Sequence, residues 1–306
     1  MFNHSKEIYV VVTFITLLSI VLVLFLLELI KLIFKKNKLN LYSSITLILG
    51  FLGIVCILYG YFIEPYRLNI NYVKLSSDKL KSEIKIVQMS DIHSDGEPRL
   101  EKKIPKIIQK IAPDIIVLTG DYANSRKGYN VFSKLITELS SIAPIYAVRG
   151  NWDISTRRIP DRFKGLPIID LDNKVQMIKI NDNLVYLCGQ PVNRKNKSNF
   201  LTDNLDSRFY SIFLFHYPYL IQELAKAGID LCLCGHTHAG QVALPFYGAL
   251  ITSSKFGKKY EHGLYNFGQT KMYVNGGIGM EGGMSPRVRF CAIPEITVFE
   301  IRGTKN

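Results

Sequence analysis

Two long apolar runs open the chain and set its start apart from the rest. Ile8 to Leu27 contains no charged residue, and Leu41 to Ile63 is a second uncharged run. About 20 apolar residues in a helix cross a hydrocarbon core of roughly 30 Å. The pattern therefore predicts two transmembrane helices, over 8–30 and 41–63, in a membrane unit spanning 1–64. A cleaved signal peptide fits poorly, because there is no basic leader or small-residue cleavage site and a second span follows at once. Lys31, Lys35, Lys36 and Lys38 crowd the stretch between the runs. A short basic loop tends to stay in the cytoplasm. That predicts a multi-pass cell-membrane protein whose N-terminus and large C-terminal part are extracytoplasmic, although Arg67, Lys74, Lys79 and Lys81 behind the second span pull the other way.

Residues 65–83 are polar, show no long apolar period, and read as a connector. From 84 to 303 the pattern changes to short runs rich in Ile, Val and Tyr alternating with helical periods, the signature of a layered α/β domain. Strands are expected at Ile84 to Met89, Ile115 to Thr119 and Ile145 to Val148, with helices at Leu100 to Ile111 and over 129–139 between them. Val175 to Ile180 and Leu184 to Leu187, split by Asn181-Asp182-Asn183, read as a hairpin opening a second, antiparallel half. Further strands are expected at Ser211 to Phe215, Leu231 to Cys234, Lys271 to Val274 and Ile296 to Ile301, with a helix at Leu220 to Ala227.

Composition adds a charge argument. Of the formal net charge of +13, all but two units belong to the chain beyond residue 64. A basic domain tethered to a bilayer suits anionic partners, such as phospholipid headgroups, phosphorylated substrates or wall polymers. No nucleic-acid-binding motif accompanies the charge. The cysteines lack the regular spacing of a disulfide framework. Cys232 and Cys234 alternate with Leu231 and Leu233, so they share one strand face and read as packing rather than as zinc ligands.

Candidate chemistry collects where the apolar runs end. Only six histidines occur, and His93, His216, His236 and His238 all follow such runs. Together the strand ends carry Asp91 and His93, Asp121, Asn151, His216, and His236 with His238. Carboxylate, amide oxygen and imidazole form a mixed ligand set suited to Mn, Fe or Zn rather than to Ca or Mg alone. Seven side chains are too many for one ion, whereas two ions sharing a carboxylate would use them all.

The order Asp-x-His, Gly-Asp, Gly-Asn-x-Asp, His, Gly-His-Thr-His over residues 84–303 resembles the calcineurin-like metallophosphoesterases. The resemblance implies a four-layer α/β (α+β) fold, a two-sheet β sandwich flanked by helices, here preceded by the two transmembrane helices. It further implies two divalent metal ions, manganese first among the candidates, with Asp91, His93 and His238 on one, Asn151, His216 and His236 on the other, and Asp121 bridging. A metal-bridging hydroxide would be the nucleophile, with Asp121 and Asn151 as the catalytic ligands. Gly276-Gly277-Ile278-Gly279 followed by Pro294-Glu295-Ile296 is similar to the membrane-associated branch that includes a bacterial UDP-2,3-diacylglucosamine pyrophosphatase.

The expected function is a membrane-anchored phosphodiester or pyrophosphate hydrolase acting on a lipid-linked or nucleotide-linked substrate. The alternatives are a broad nucleotide or nucleic-acid phosphodiesterase, or a metal-binding scaffold that has lost catalysis. One departure bears on this choice. The family usually places a histidine after Gly-Asn, and this chain has Trp152, whose indole cannot act as an acid at neutral pH. General acid catalysis is worth about 10² to 10⁴ in rate, so a leaving group that is already a stable anion is expected. His262 is a candidate replacement acid. Arg157, Arg158, Arg162 and Lys164 are candidate phosphate contacts in a cap over the metals. Gly276 stands where the family usually has arginine, which makes Arg287 and Arg289 candidate substitutes. The aromatic insertion from Pro245 to Gly268 is expected to wall the site or to lean on the membrane.

Overall fold

The computed structural model describes residues 4–35, 39–155, 161, 163–192, 205–282 and 286–304. Helices α1 (His4–Lys35) and α2 (Leu41–Phe62) pair as a hairpin. Both are long and apolar enough to cross a membrane. Their large apolar side chains stay exposed, among them Val12, Leu17, Val23, Ile48, Phe51 and Leu52. Asn40 caps α2 by accepting the Ser43 N–H through its side-chain oxygen at 2.8 Å, which satisfies one of the free amides of the first turn.

The stretch expected to be a connector is ordered structure. A single 3₁₀ turn over Glu64–Tyr66 leads into β1 (Asn69–Ser77), an edge strand paired in parallel along its whole length with β14 (Glu295–Gly303). Its inward residue Leu75 is buried while its neighbours alternate outward. Half-buried alternation on an edge strand leaves only a weak apolar period for the sequence to show.

Beyond it follow β2 (Ile84–Met89), α3 (Ile104–Ile111), β3 (Ile115–Leu118), α4 (Arg126–Ser140), β4 (Ile145–Ala147), a short helix α5 (Asn151–Ser155) and β5 (Ile169–Asp170). The next elements are β6 (Lys174–Ile180), β7 (Asn183–Gln190), β8 (Tyr210–Phe215), α6 (Ile221–Lys226) and β9 (Leu231–Cys234). A small hairpin of β10 (Ala243–Leu244) and β11 (Gly248–Ala249) precedes β12 (Gly263–Phe267) and β13 (Thr270–Val274). Among the described residues the larger sheets are six-stranded, ordered β1-β14-β2-β3-β4-β5 and β12-β13-β9-β8-β7-β6.

The second sheet is not the antiparallel half that its opening hairpin suggested. Strands β7, β8, β9 and β13 run parallel, and antiparallel pairing is confined to the edges, β6 on β7 and β12 on β13. Helix α6 between β8 and β9 supplies the crossover that parallel neighbours need.

Alternate side chains along each strand divide the interior into three layers. Ile86, Val117, Leu187, Leu214 and Leu233 meet between the sheets. Val87, Met89, Ile116 and Leu118 face α3 and α4. Phe213, Phe215, Cys232 and Cys234 face α6. The cysteine pair is thus packing, its sulfurs 3.5 Å apart on the outer face. Because β2, β3 and β4 are parallel in one sheet and β8 and β9 in the other, their C-terminal ends gather at one edge of the sandwich, where open α/β sheets bind ligands.

Candidate metal centre

Each sequence-predicted ligand stands just past a strand end, and the loops there are tightly constrained. Asp91, His93, Asp121, His236 and His238 all take left-handed backbone conformations, with φ of 49°, 42°, 60°, 76° and 53°. Non-glycine residues rarely adopt this region, and each such position costs of order 1–3 kcal/mol. The bends turn five side chains inward. Glycine precedes two of them for steric reasons. A Cβ on Gly120, itself at φ +101°, would lie 2.7 Å from His216 Nδ1, and one on Gly235 would lie 1.9 Å from Ser90 Oγ and 2.3 Å from Asp91 Oδ2.

Hydrogen bonds to the far atoms of these side chains fix which atoms face the centre. His93 Nδ1 and Asn124 Oδ1 are 2.7 Å apart, so the ring donates there and aims Nε2 inward. His216 Nδ1 donates to the Thr119 carbonyl at 2.7 Å, which leaves its Nε2 facing Asn151 Oδ1 at 3.0 Å and Asp121 Oδ2 at 3.2 Å. His236 is turned the other way: its Nε2 donates to the Ser253 carbonyl at 3.2 Å, leaving Nδ1 as the free nitrogen. Asp91 Oδ2 accepts from Ser90 Oγ at 2.5 Å and from the His236 amide at 2.9 Å, while Oδ1 lies 3.3 Å from His238 Nε2. Asp121 Oδ2 sits between His93 Nε2 at 3.6 Å and His216 Nε2 at 3.2 Å.

This arrangement fits divalent cations. Asp91 Oδ1 and His93 Nε2 are buried with no hydrogen-bond partner among the described residues. Leaving such groups unpaired costs roughly 1–3 kcal/mol each, and metal ligation is what these atoms are oriented for. Asp91, His93 and His238 offer ligand atoms within 4.8 Å of one another, and so do Asp91, Asp121 and His216.

Electrostatics within the cluster are strongly coupled. Burial alone would raise the Asp121 carboxyl, but His216 and His93 outweigh it and bring the group down to about 2. Burial disfavours charge on His216, yet Asp121 and Asp91 raise it to about 10. Burial, reinforced by His216, lowers His236 to about 3, and burial also lowers His238. Asp91 is raised, chiefly by burial.

Residues 84–240 match the family described as calcineurin-like phosphoesterase. The chain belongs to that family. A metallophosphoesterase of unassigned role from Bacillus subtilis, YkuE, is 31% identical over 273 residues, covering 80% of this chain and 90% of the relative. One from Aquifex aeolicus is 28% identical over 262 residues, covering 80% and 95%. The phosphodiesterase YaeI of Escherichia coli is 28% identical over 196 residues, covering 62% and 70%.

In this metallophosphoesterase several supporting residues escaped the reading of the sequence. Asp153 accepts the backbone N–H groups of Gly150 at 2.9 Å, Asp121 at 2.7 Å and Tyr122 at 3.1 Å, clamping the loops after β3 and β4 together. Its place in Gly-Asn-x-Asp was the available signal. Asn124 orients His93, and the Thr237 hydroxyl donates to the Glu261 carbonyl at 2.6 Å.

Other expectations change with the structure. Arg289 is no phosphate contact: it is wholly buried and donates to the carbonyls of Gly276, Gly277, Gly279 and Ala292. Arg287 pairs with Asp95. His262 is paired with a carboxylate, its Nε2 lying 2.6 Å from Glu295 Oε2, and its ring stands beside Gly276. Trp152 adjoins the cluster. Its backbone N–H donates to Asp121 Oδ1 at 2.8 Å, its indole N–H to Glu281 Oε1 at 3.3 Å, and its ring meets His93 edge-on. Arg157, Arg158 and Arg162 lie outside the described residues, and Lys164 is exposed.

The aromatic insertion splits into two parts. Tyr260 and its neighbours Phe256, Tyr265 and Phe267 belong to the core layer against α6. Phe246 and Tyr247 form the exposed tip of the β10–β11 hairpin.

Proposed function

We propose that this chain is a membrane-anchored, binuclear metal-dependent phosphoesterase that cleaves a phosphodiester or pyrophosphate bond in a lipid-linked or nucleotide-linked substrate. In this reading Asp91, His93 and His238 hold one ion, Asn151, His216 and His236 hold the other, and Asp121 is shared between them. The observation that carries it is the convergence of Asp91 Oδ1 and His93 Nε2, neither hydrogen-bonded among the described residues, on the same space as the Asp121 carboxylate. Two such cations, when bound, supply an acidic water and neutralise charge on the phosphoryl group; manganese is the favoured metal.

The chain's own residues set the rest. Asn124, Thr119 and Ser253 hold three imidazoles in the tautomers that ligation needs. Trp152 cannot give a proton to a departing alkoxide, so substrates whose leaving group is a stable anion are favoured, in keeping with a pyrophosphate such as that of the diacylglucosamine branch. Anchoring by α1 and α2, with the domain extracytoplasmic, would confine the site to the bilayer surface and favour amphiphilic substrates by effective concentration.

The test is hydrolysis of a bis-aryl phosphodiester by the full chain with added manganese. Turnover should be lost on chelation and fall by at least about a hundredfold in Asp121→Ala, the scale on which single catalytic groups act. A wild-type rate no higher than that of the variant would sink the proposal.

A further inference from the structure

The metal centre opens sideways onto the first apolar helix. The cavity that reaches His236 and His238 has Val11, Phe14 and Ile15 of α1 as one wall and Leu250 and Ile251 as the other. A second cavity continues along α1 from Phe14 and Leu250 to Leu17, where Leu244 and Tyr247 of the β10–β11 hairpin form the far side. Phe14 and Leu250 belong to both, so the two make one trough. From Val11 to Leu17 it follows α1 for about 9 Å. The helix is held in this place by the domain: Thr252 Oγ1 donates to Glu7 Oε1 at 3.0 Å, and Glu7 is buried there.

The chemistry of the trough changes along its length. Its inner end has the two imidazoles, Thr237, Thr252 and Glu281. Its outer part, lined by Tyr9, Val10, Thr13, Phe14 and Leu17 on the helix side, has no charged side chain. The helix wall is part of a candidate membrane span, and the hairpin tip beside it carries a fully exposed Phe246. Among the described residues lining this outer part a nucleobase or a second phosphate would find no cation, and Lys258 beside the Tyr247 ring is already tied to the Tyr247 and Ala249 carbonyls and to Glu261. A hydrocarbon chain would meet apolar surface on both sides and continue into the bilayer.

We propose that the trough between α1 and the β10–β11 hairpin holds an acyl chain of a phosphorylated membrane lipid, so that the lipid presents its phosphate to the metal centre without leaving the bilayer. This rests on the phosphoesterase reading and narrows its substrate class to lipids whose chain enters beside α1. The first membrane helix is then part of the substrate site as well as an anchor. The hairpin, with Phe246 and Tyr247 at its tip, is its second wall.

The test uses the full chain in lipid nanodiscs with a dialkyl phosphate probe bearing a diazirine in one chain. Photolysis should place adducts on residues 9–17 and 242–251. Excess probe lacking the diazirine should suppress them at least fivefold, and so should Phe14→Glu. Tyr247→Glu, an exposed position, should also suppress them and guards against misfolding of the first variant. Adducts spread evenly over α1 and α2 and insensitive to the competitor would overturn the proposal. Turnover of a soluble bis-aryl diester is measured on the same preparation. Turnover without specific adducts removes the trough and leaves the phosphoesterase reading, whereas specific adducts without turnover remove that reading and leave a lipid site.

Discussion

Trp152 is the residue at which this chain parts most clearly from its family's pattern. The position adjoins the centre, since its backbone amide donates to Asp121 and its ring meets His93. A histidine there would be a proton donor; an indole is not. Trp152→His should therefore raise kcat for a diester with an ethoxide leaving group by about a hundredfold, the lower end of the range for general acids. The rate for a p-nitrophenolate leaving group should change by less than about threefold, because that anion departs without help. Equal gains for both esters would show that the substitution acts through packing. At this scale the side chains that converge on the candidate centre were legible, because Asp-x-His, Gly-Asp and Gly-His-Thr-His are local strings whose chemistry is in their side chains. The clamp at Asp153 and the burial of Arg289 were not, because each depends on backbone groups brought in from distant segments.

The junction between β12 and β14 carries an ion pair, buried only on its Glu295 side, that no strand pattern announces. Glu295 begins β14 and accepts from Tyr273 at 2.7 Å, Thr297 at 2.6 Å and His262 at 2.6 Å. His262 precedes β12 and is raised above its ordinary value of 6.5: burial opposes its charge, and Glu295 outweighs burial. Glu295 is lowered from 4.5, burial again being outweighed by His262. The histidine's contribution is complete below about 6.5 and fades as pH rises through its folded value. The carboxylate's contribution is present above its ordinary value and fades as pH falls through its folded one. The pair thus stabilises the fold most between those limits. His262→Gln should cost about 1 kcal/mol at pH 5.5, a modest figure because the ring is part-exposed, and much less at pH 9. Thermal melts of the full chain in detergent at the two pH values would show this, and a pH-independent loss would sink it. The strands β2, β3, β4 and β14 and the helices α3 and α4 followed from the apolar periods, whereas β1, β5 and the parallel core of the second sheet did not. Its opening hairpin is local, and the pairing of β8 with β9 depends on where α6 places the chain.

The whole molecule is arranged so that both ends of the helix pair on the domain side are fastened to the domain. Near the start of α1, Glu7 meets Thr252. In the last turn of α2, the Gly60 carbonyl accepts the Arg289 N–H at 2.9 Å, and Tyr59 meets Phe290 edge-on. The turn side of the pair, where α1 ends at Lys35 and α2 starts at Leu41, therefore lies at the opposite end, about 30 Å or more away along helices of this length. If the pair crosses a bilayer, the domain and that turn are on opposite faces. The lysine-rich stretch over residues 31–38 is predicted to be retained in the cytoplasm, which would put the metal centre outside. Arg67, Lys74, Lys79 and Lys81 oppose this, but they belong to a folded unit, Lys74 in β1 and Lys79 paired with Asp230 at 2.8 Å, and large domains are translocated largely regardless of charge. A reporter enzyme active only outside the cytoplasm, fused after Asn306, should be active. Replacing Lys35, Lys36 and Lys38 together by glutamine should lower that activity by weakening the retention signal. A silent wild-type fusion, with a cytoplasm-active reporter at the same position giving signal, would reverse the orientation and bring the substrate from the inner leaflet instead.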